Sequence, residues 1–182
     1  QPGESGSPEG GYFKKEAIKM AYEFLTQELQ IKKERISCSV FSGDEKNPAD
    51  TESMKVLDEM GLQYKKCSRE DNFWGPTGDE GPCGPTVEFY VDNIEVWNLV
   101  FNEYYREKGG AYKNLETKGI DTGMGLERMV AVLNNLSDVY RIDIFENIIK
   151  KIEEINGLGY IYGDKSDTEY IKEGKQCWVD VR

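Results

Sequence analysis

Thr86-Val-Glu-Phe-Tyr-Val-Asp-Asn-Ile-Glu-Val-Trp-Asn-Leu-Val-Phe101 is the stretch whose reading decides the fold. Val87, Phe89 and Val91 alternate with Thr86, Glu88 and Tyr90, the period-two pattern of a strand with one face in a core. Ile94 to Phe101 is apolar on both faces, as in a central strand. The link between the two runs is only Asp92-Asn93. That is a hairpin signal, although the glycine usually preferred there is missing. Two adjacent strands joined this tightly must be antiparallel. Asn98 shares a face with Val96 and Val100, so its amide is either a satisfied core asparagine or a ligand contact.

Upstream of the hairpin, Asp71 to Pro85 carries four glycines and three prolines in fifteen residues. Proline fixes φ and glycine permits positive φ, so this loop is shaped, and Phe73-Trp74 argues against disorder. Downstream, Gly109 to Lys118 reads as loop. It leads into Gly119-Ile-Asp-Thr-Gly-Met-Gly-Leu-Glu-Arg-Met-Val130. This segment predicts a short strand ending near Asp121, a tight turn at Gly123 and Gly125, and a helix capped by Thr122 or Asp121. Leu126, Met129, Val130 and Leu133 have the spacing of a core-facing helix side. A fixed anion at Asp121 and a fixed cation at Arg128 suit a ligand bearing both charges, or else each pairs with its neighbours.

The remaining elements are a helix over 16–29, a strand over 36–41, a helix over 50–60 stopped by Gly61, and a weak strand over 62–67. A strongly periodic helix uses Phe145, Ile148, Ile149, Ile152 and Ile155, with Asp143-x-x-Glu146 in capping-box spacing, and ends at Asn156-Gly157. Residues 1–11 read as a flexible tail, a linker or a cloning remnant. Residues 176–182 read as a strand or tail. No internal repeat or second domain is visible over residues 12–182.

Composition narrows the chemistry. The net charge is −11, and Lys14-Lys15, Lys32-Lys33 and Lys65-Lys66 read as solvated faces, so this stretch alone is no convincing nucleic-acid binder. Histidine is absent, which removes Ser-His-Asp, Cys-His and His-containing metal sites. The four cysteines lack C-x-x-C spacing, and we expect reduced thiols and no metal site built by the protein. No run is apolar enough for a membrane span, and a cytoplasmic protein is expected.

Four segments occur in order: Asp71-Asn-Phe-Trp74, Gly81-Pro-Cys-Gly-Pro85 with Glu88, Glu95-Val-Trp-Asn-Leu-Val-Phe101, and Asp121-Thr-Gly-Met-Gly-Leu-Glu-Arg128. Together they closely resemble the catalytic domain of the alanyl-tRNA synthetase family, class II aminoacyl-tRNA synthetases. Tyr12-Phe-Lys-Lys-Glu-Ala-Ile18 fits the same family. The resemblance implies that residues 12–182 are part of an α+β domain of the class II catalytic-core type, an antiparallel β-sheet flanked by helices. It implies ATP-dependent activation of L-alanine to alanyl-adenylate with Mg²⁺, then transfer to tRNA(Ala). It also implies Arg128 on the ATP γ-phosphate, with Gly125 beside the nucleotide and Glu88 near it. Asp121 would hold the alanine ammonium, and Gly123, Asn98 and Trp74 would complete the alanine pocket. On this basis Arg128 and Asp121 are the candidate catalytic residues.

A pocket for so small a substrate cannot strongly reject glycine or serine. The family edits such errors in a separate domain with His and Cys metal ligands, and no His is present here. The family's class motifs 1 and 2 precede the Tyr-Phe-Lys stretch, and an acid stands where Gly11 is. Nothing ahead of Tyr12 matches those motifs. The expectation is therefore a partial catalytic domain, inactive by itself in alanine activation. The competing expectation is a non-catalytic, synthetase-like module that binds ATP or a small amino acid in a regulatory or interaction role.

Overall fold

A computed structural model describes residues 12–136, 138–157 and 159. The expectations for 1–11 and 176–182 fall outside these residues. The described chain divides into two compact units, one ending at Gly125 and one beginning at Leu126.

The first unit is a six-stranded sheet with its two longest helices on one face. Its strands are β1 (Ile36–Phe41), β2 (Tyr64–Cys67), β3 (Phe73–Trp74), β4 (Gly81–Val91), β5 (Ile94–Arg106) and β6 (Tyr112–Met124). Their spatial order is β2-β1-β4-β5-β6, with β3 added beside β4. Only β1 and β2 run parallel. The hairpin forms as its pattern requires. Asp92 and Asn93 take φ of 51° and 66°, the pair of positive values that matches the twist of the flanking strands. Short polar side chains tolerate this conformation, so the missing glycine is no obstacle.

One sheet face is apolar. Val40, Val87, Phe89, Val91 and Phe101 are completely buried. Helix α1 (Lys14–Glu23), continued by a π turn over Phe24–Glu28, covers it together with α2 (Thr51–Met60). Edge-on ring contacts of Phe13 with Phe101 at 5.5 Å and Phe24 with Trp97 at 5.6 Å fix α1 on β5. Asp50 caps α2, accepting from the Ser53 amide at 3.2 Å, and Gly61 ends it at φ 62°.

Lys14 departs from the solvated face expected of it. It is 3% exposed, 2.7 Å from Asp50, paired with Glu103, and lies 5.6 Å from the Phe101 ring centre. A cation at the first helical position needs anionic partners when the helix end is buried, and the sheet and the α2 cap supply one each.

Two expected loops are strands. Residues 112–118 belong to β6: Tyr112–Asn114 pair with Arg106–Tyr104 of β5, and 115–118 form an irregularity before pairing resumes at Gly119, despite the polar sequence. Pro82 and Pro85 lie within β4; Pro85 falls in the register shift against β5 between Cys83 and Thr86, and Pro82 lies outside it, opposite Tyr105. Within the Asp71–Pro85 stretch, a short helix α3 (Arg69–Asn72) leads directly into β3.

In the second unit, α4 (Leu126–Leu133) is followed by a 3₁₀ turn at Val139–Arg141 and by α5 (Asp143–Asn156). Asp121 and Thr122 do not cap α4, because both are still in β6. On α4, Met129, Ala131 and Val132 are buried, whereas Leu126 and Leu133 are exposed at the two helix ends. Asp143 is the first helical residue of α5 rather than its cap. Its carboxylate takes the Ile144 amide, and Glu146 pairs with Lys150, so no capping box closes. Of the apolar stripe on α5 only Ile149 is buried, and Ile148, Ile152 and Ile155 are exposed. Gly157 ends α5 at φ 72°, as its position predicts.

Candidate active site

The sheet face opposite the helices carries a polar row that crosses four strands. Ser39 pairs in register with Glu88, Glu88 with Asn98, and Asn98 with Gly123. Residues directly opposite one another share a face, so all four project the same way. Asp121 lies opposite Val100, one step along β6 on that face.

Glu88 is the centre of the row and only 7% exposed. Its Oε2 accepts from Ser39 Oγ at 2.8 Å and from the Tyr90 hydroxyl at 2.5 Å. Its Oε1 faces Asn98 Nδ2 at 3.5 Å. Burial pushes the Glu88 pKa above the ordinary carboxylate value, more than the Tyr90 and Ser39 hydrogen bonds pull it down. Burial and the neighbouring Glu88 likewise raise Tyr90. Asn98 Oδ1 is buried and has no hydrogen-bond donor. Thr122 Oγ1 donates to the Asn98 carbonyl at 3.0 Å and accepts from Trp97 Nε1 at 2.7 Å, which ties β6 to β5 beside the row.

The turn through α3 supplies the flank. Asn72 is fully buried and donates from Nδ2 to Ser39 Oγ at 2.9 Å and to Thr86 Oγ1 at 3.1 Å. The family resemblance implies no role for this residue. Its signal is a polar amide placed directly before two large aromatics. Arg69 holds the turn in place. Its guanidinium lies 3.9 Å from the Phe73 ring centre, bonds Asp44 at 2.5 and 3.1 Å, and reaches Asn47 at 2.6 Å. Gly84 lets β5 approach, since a Cβ there would lie 1.7 Å from the Phe101 carbonyl oxygen.

A family model described as tRNA synthetases class II (A) matches residues 9–174. The chain belongs to the class II tRNA synthetases. It is 43% identical over 183 residues to the alanine–tRNA ligase of Borreliella afzelii (strain PKo), covering 88% of this chain and 30% of that protein. To the alanine–tRNA ligase of Treponema denticola it is 40% identical, covering 87% and 30%. To that of Thermotoga maritima it is also 40% identical, covering 87% and 21%. The chain thus spans less than a third of the length of these curated relatives.

Within this class II synthetase chain, the sheet brings Glu88, Asn98, Gly123 and Asp121 onto one face. Gly123 sits inside β6 rather than in a turn, because Asn98 offers it a pairing partner. A Cβ at Gly123 would meet no other atom within 4 Å, so the glycine leaves open space on that face. Among the described residues no cation pairs with Asp121. Gly125 closes the sheet end by donating to the Val96 carbonyl at 3.0 Å. Trp74 stands on β3 opposite Gly84 and is 54% exposed. Arg128 is exposed in the first turn of α4, in the second unit. Among the described residues there is no cluster of three or more His, Cys, Asp or Glu side chains fit to hold a metal. Nor is any helix there long and apolar enough to cross a membrane.

Proposed function

We propose that this chain is part of the aminoacylation centre of a cytoplasmic alanine–tRNA ligase, and that the polar row is its amino-acid subsite. The observation that carries this is the unpartnered, buried Oδ1 of Asn98 on the same face as Asp121. A buried acceptor without a donor costs about 1–3 kcal/mol until a ligand satisfies it. A primary ammonium brings three donors and a positive charge, which answers both the open acceptor and the unpaired carboxylate.

In this reading Asp121 and Asn98 hold the ammonium and Trp74 walls the methyl side. Gly123 keeps the strand free of side-chain bulk where the substrate lies. The alanine carboxylate then attacks the α-phosphorus of ATP and pyrophosphate departs. Arg128 binds the γ-phosphate with a guanidinium that stays charged, and Gly125 lies beside the nucleotide. Mg²⁺ is assigned to the ATP phosphates rather than to a protein cage, in keeping with its usual binding through phosphates and few carboxylates. The 3′ end of tRNA(Ala) receives the alanyl group in the second step. The acidity of this stretch places the main grip on tRNA outside it.

Alanine-dependent ATP–pyrophosphate exchange by the full-length protein tests the assignment. Asp121→Asn is expected to raise the alanine KM about tenfold or more, the size of one lost hydrogen bond to a charged group. The ATP KM should change less than about twofold. Unchanged alanine kinetics in both Asp121→Asn and Asn98→Ala would sink the subsite.

A further inference from the structure

We propose that Glu88 is a positioning residue that turns the Asn98 amide so that its oxygen, and not its nitrogen, faces the bound amino acid. This rests on the alanine subsite proposed above, and it reads Glu88 differently from the nucleotide role that the family resemblance implies.

A carboxylate can only accept. With Glu88 Oε1 facing Asn98 at 3.5 Å, the amide must present Nδ2 to it, because the reversed amide would set two acceptors against each other. Oδ1 is thereby left for a ligand, and it has no donor of its own. The orientation of Glu88 is fixed in turn. Asn72 Nδ2 donates to Ser39 Oγ, so the single Ser39 proton is committed to Glu88 Oε2, where the Tyr90 hydroxyl also donates. The polarity runs one way, from Asn72 through Ser39 and Glu88 to Asn98, and ends as an acceptor on the substrate face.

Protonation of Glu88 would undo this. A protonated Oε1 donates, the Asn98 amide turns to accept with Oδ1, and the amino acid meets an N–H instead. Burial raises the Glu88 pKa against the pull of Tyr90 and Ser39, and Glu95 on β5 and Asp71 on α3 raise it further. Tyr90 on β4 and Cys67 on β2 feel Glu88 in turn. Alanine binding therefore falls as pH drops through the raised Glu88 pKa.

Glu88→Gln reproduces the protonated state permanently. Its oxygen stays with the Ser39 and Tyr90 donors, so its amide nitrogen points at Asn98 and reverses it. In the full-length protein, exchange assays of Glu88→Gln are expected to show an alanine KM raised about tenfold or more. The ATP KM should stay within about twofold. Wild type should show an acidic fall in kcat/KM for alanine that Glu88→Gln lacks. The double variant Glu88→Gln/Asn98→Asp should recover part of the loss, because a carboxylate at position 98 accepts from the amide and keeps an oxygen for the ammonium. An ATP KM that rises while the alanine KM does not, or one pH profile shared by wild type and Glu88→Gln, overturns the inference. If Glu88→Gln does not fold, a wild-type profile without the acidic fall overturns it equally. Wild type devoid of alanine-dependent exchange removes the alanine reading itself, and the orientation argument falls with it.

Discussion

Replacing Lys14 by methionine isolates the electrostatics of the buried charge cluster, because methionine fills a similar volume. Lys14 joins three elements: its own helix, the α2 cap through Asp50 at 2.7 Å, and β5 through Glu103. Removing the cation leaves two acids of unequal need. Glu103 keeps Lys118 at 3.2 Å. The Asp50 side chain is 0% exposed but keeps the Ser53 amide at 3.2 Å and the Ser53 hydroxyl at 2.7 Å. Breaking a buried pair generally costs about 3–5 kcal/mol. The surviving partners place this one near the lower end, about 3 kcal/mol, or roughly 6–12 °C in Tm for a chain of this size. Lys118→Met, at a partly exposed pair, should cost less than about 1 kcal/mol. Urea and thermal unfolding measure both. Burial alone would lower the Lys14 pKa, but Asp50 and Glu103 outweigh it and raise it above 10.5. The Lys14 contribution is then complete below the unfolded-state pKa and is lost as pH rises through the higher folded value. The gap between wild type and Lys14→Met should stay constant over about pH 6–9 and close only in stronger alkali. A loss under about 1 kcal/mol would refute the reasoning.

Gly123→Ala should leave stability unchanged while weakening alanine about tenfold or more, since the new methyl enters open space on the subsite face. Parallel unfolding curves and exchange kinetics decide it. Gly84→Ala should do the reverse and destabilise by about 3 kcal/mol, because its methyl meets the Phe101 carbonyl oxygen. An intact melting curve for that variant contradicts the close crossing of β4 and β5. Cys38 is buried with its thiol pKa raised to about 12, so iodoacetamide at about pH 8 should spare it in the native protein and label it after unfolding. Peptide mass mapping reads the outcome. The Arg69 hydrogen bond holds Asp44 well below the usual carboxylate range. Its stabilising effect is present above the unfolded value of 3.8 and lost as pH falls through the folded value. Asp44→Asn should therefore lower Tm at neutral pH by an amount that disappears only in strong acid.

Elements with a clean periodicity were legible in advance. The strand at Ile36–Phe41 has its predicted bounds, and the Asp92-Asn93 hairpin forms where the alternation demands it. What stayed hidden depended on partners distant in the chain. Residues 112–118 look like loop because their side chains are polar, and they become strand because β5 pairs with Tyr112–Asn114 and again from Gly119 on either side of an irregularity. Lys14 looks like a surface lysine until Glu103 arrives from β5 and Asp50 from α2. The apolar stripe of α5 was readable, but periodicity states only which residues share a side, and three of its isoleucines are exposed. At the candidate site, Asn98, Glu88 and Asp121 were visible as polar residues in apolar strands or beside glycines. The row itself was not, because strand register is a property of pairing rather than of any one segment.

Thr122 gives that register a consequence for folding. The row joins Glu88 and Asn98 of the β4–β5 hairpin to positions 39 and 123, which lie well outside it along the chain. Sliding β6 by one residue would turn Asp121 and Gly123 to the helix-covered side and bring Thr122 onto the substrate side. Its hydroxyl bridges the Asn98 carbonyl and the Trp97 indole in only one of those alignments. Competence to bind should therefore appear late and all at once during refolding, when long-range pairing is complete. A fluorescent ligand for the subsite would time the final alignment of β6 rather than the earlier collapse of the core.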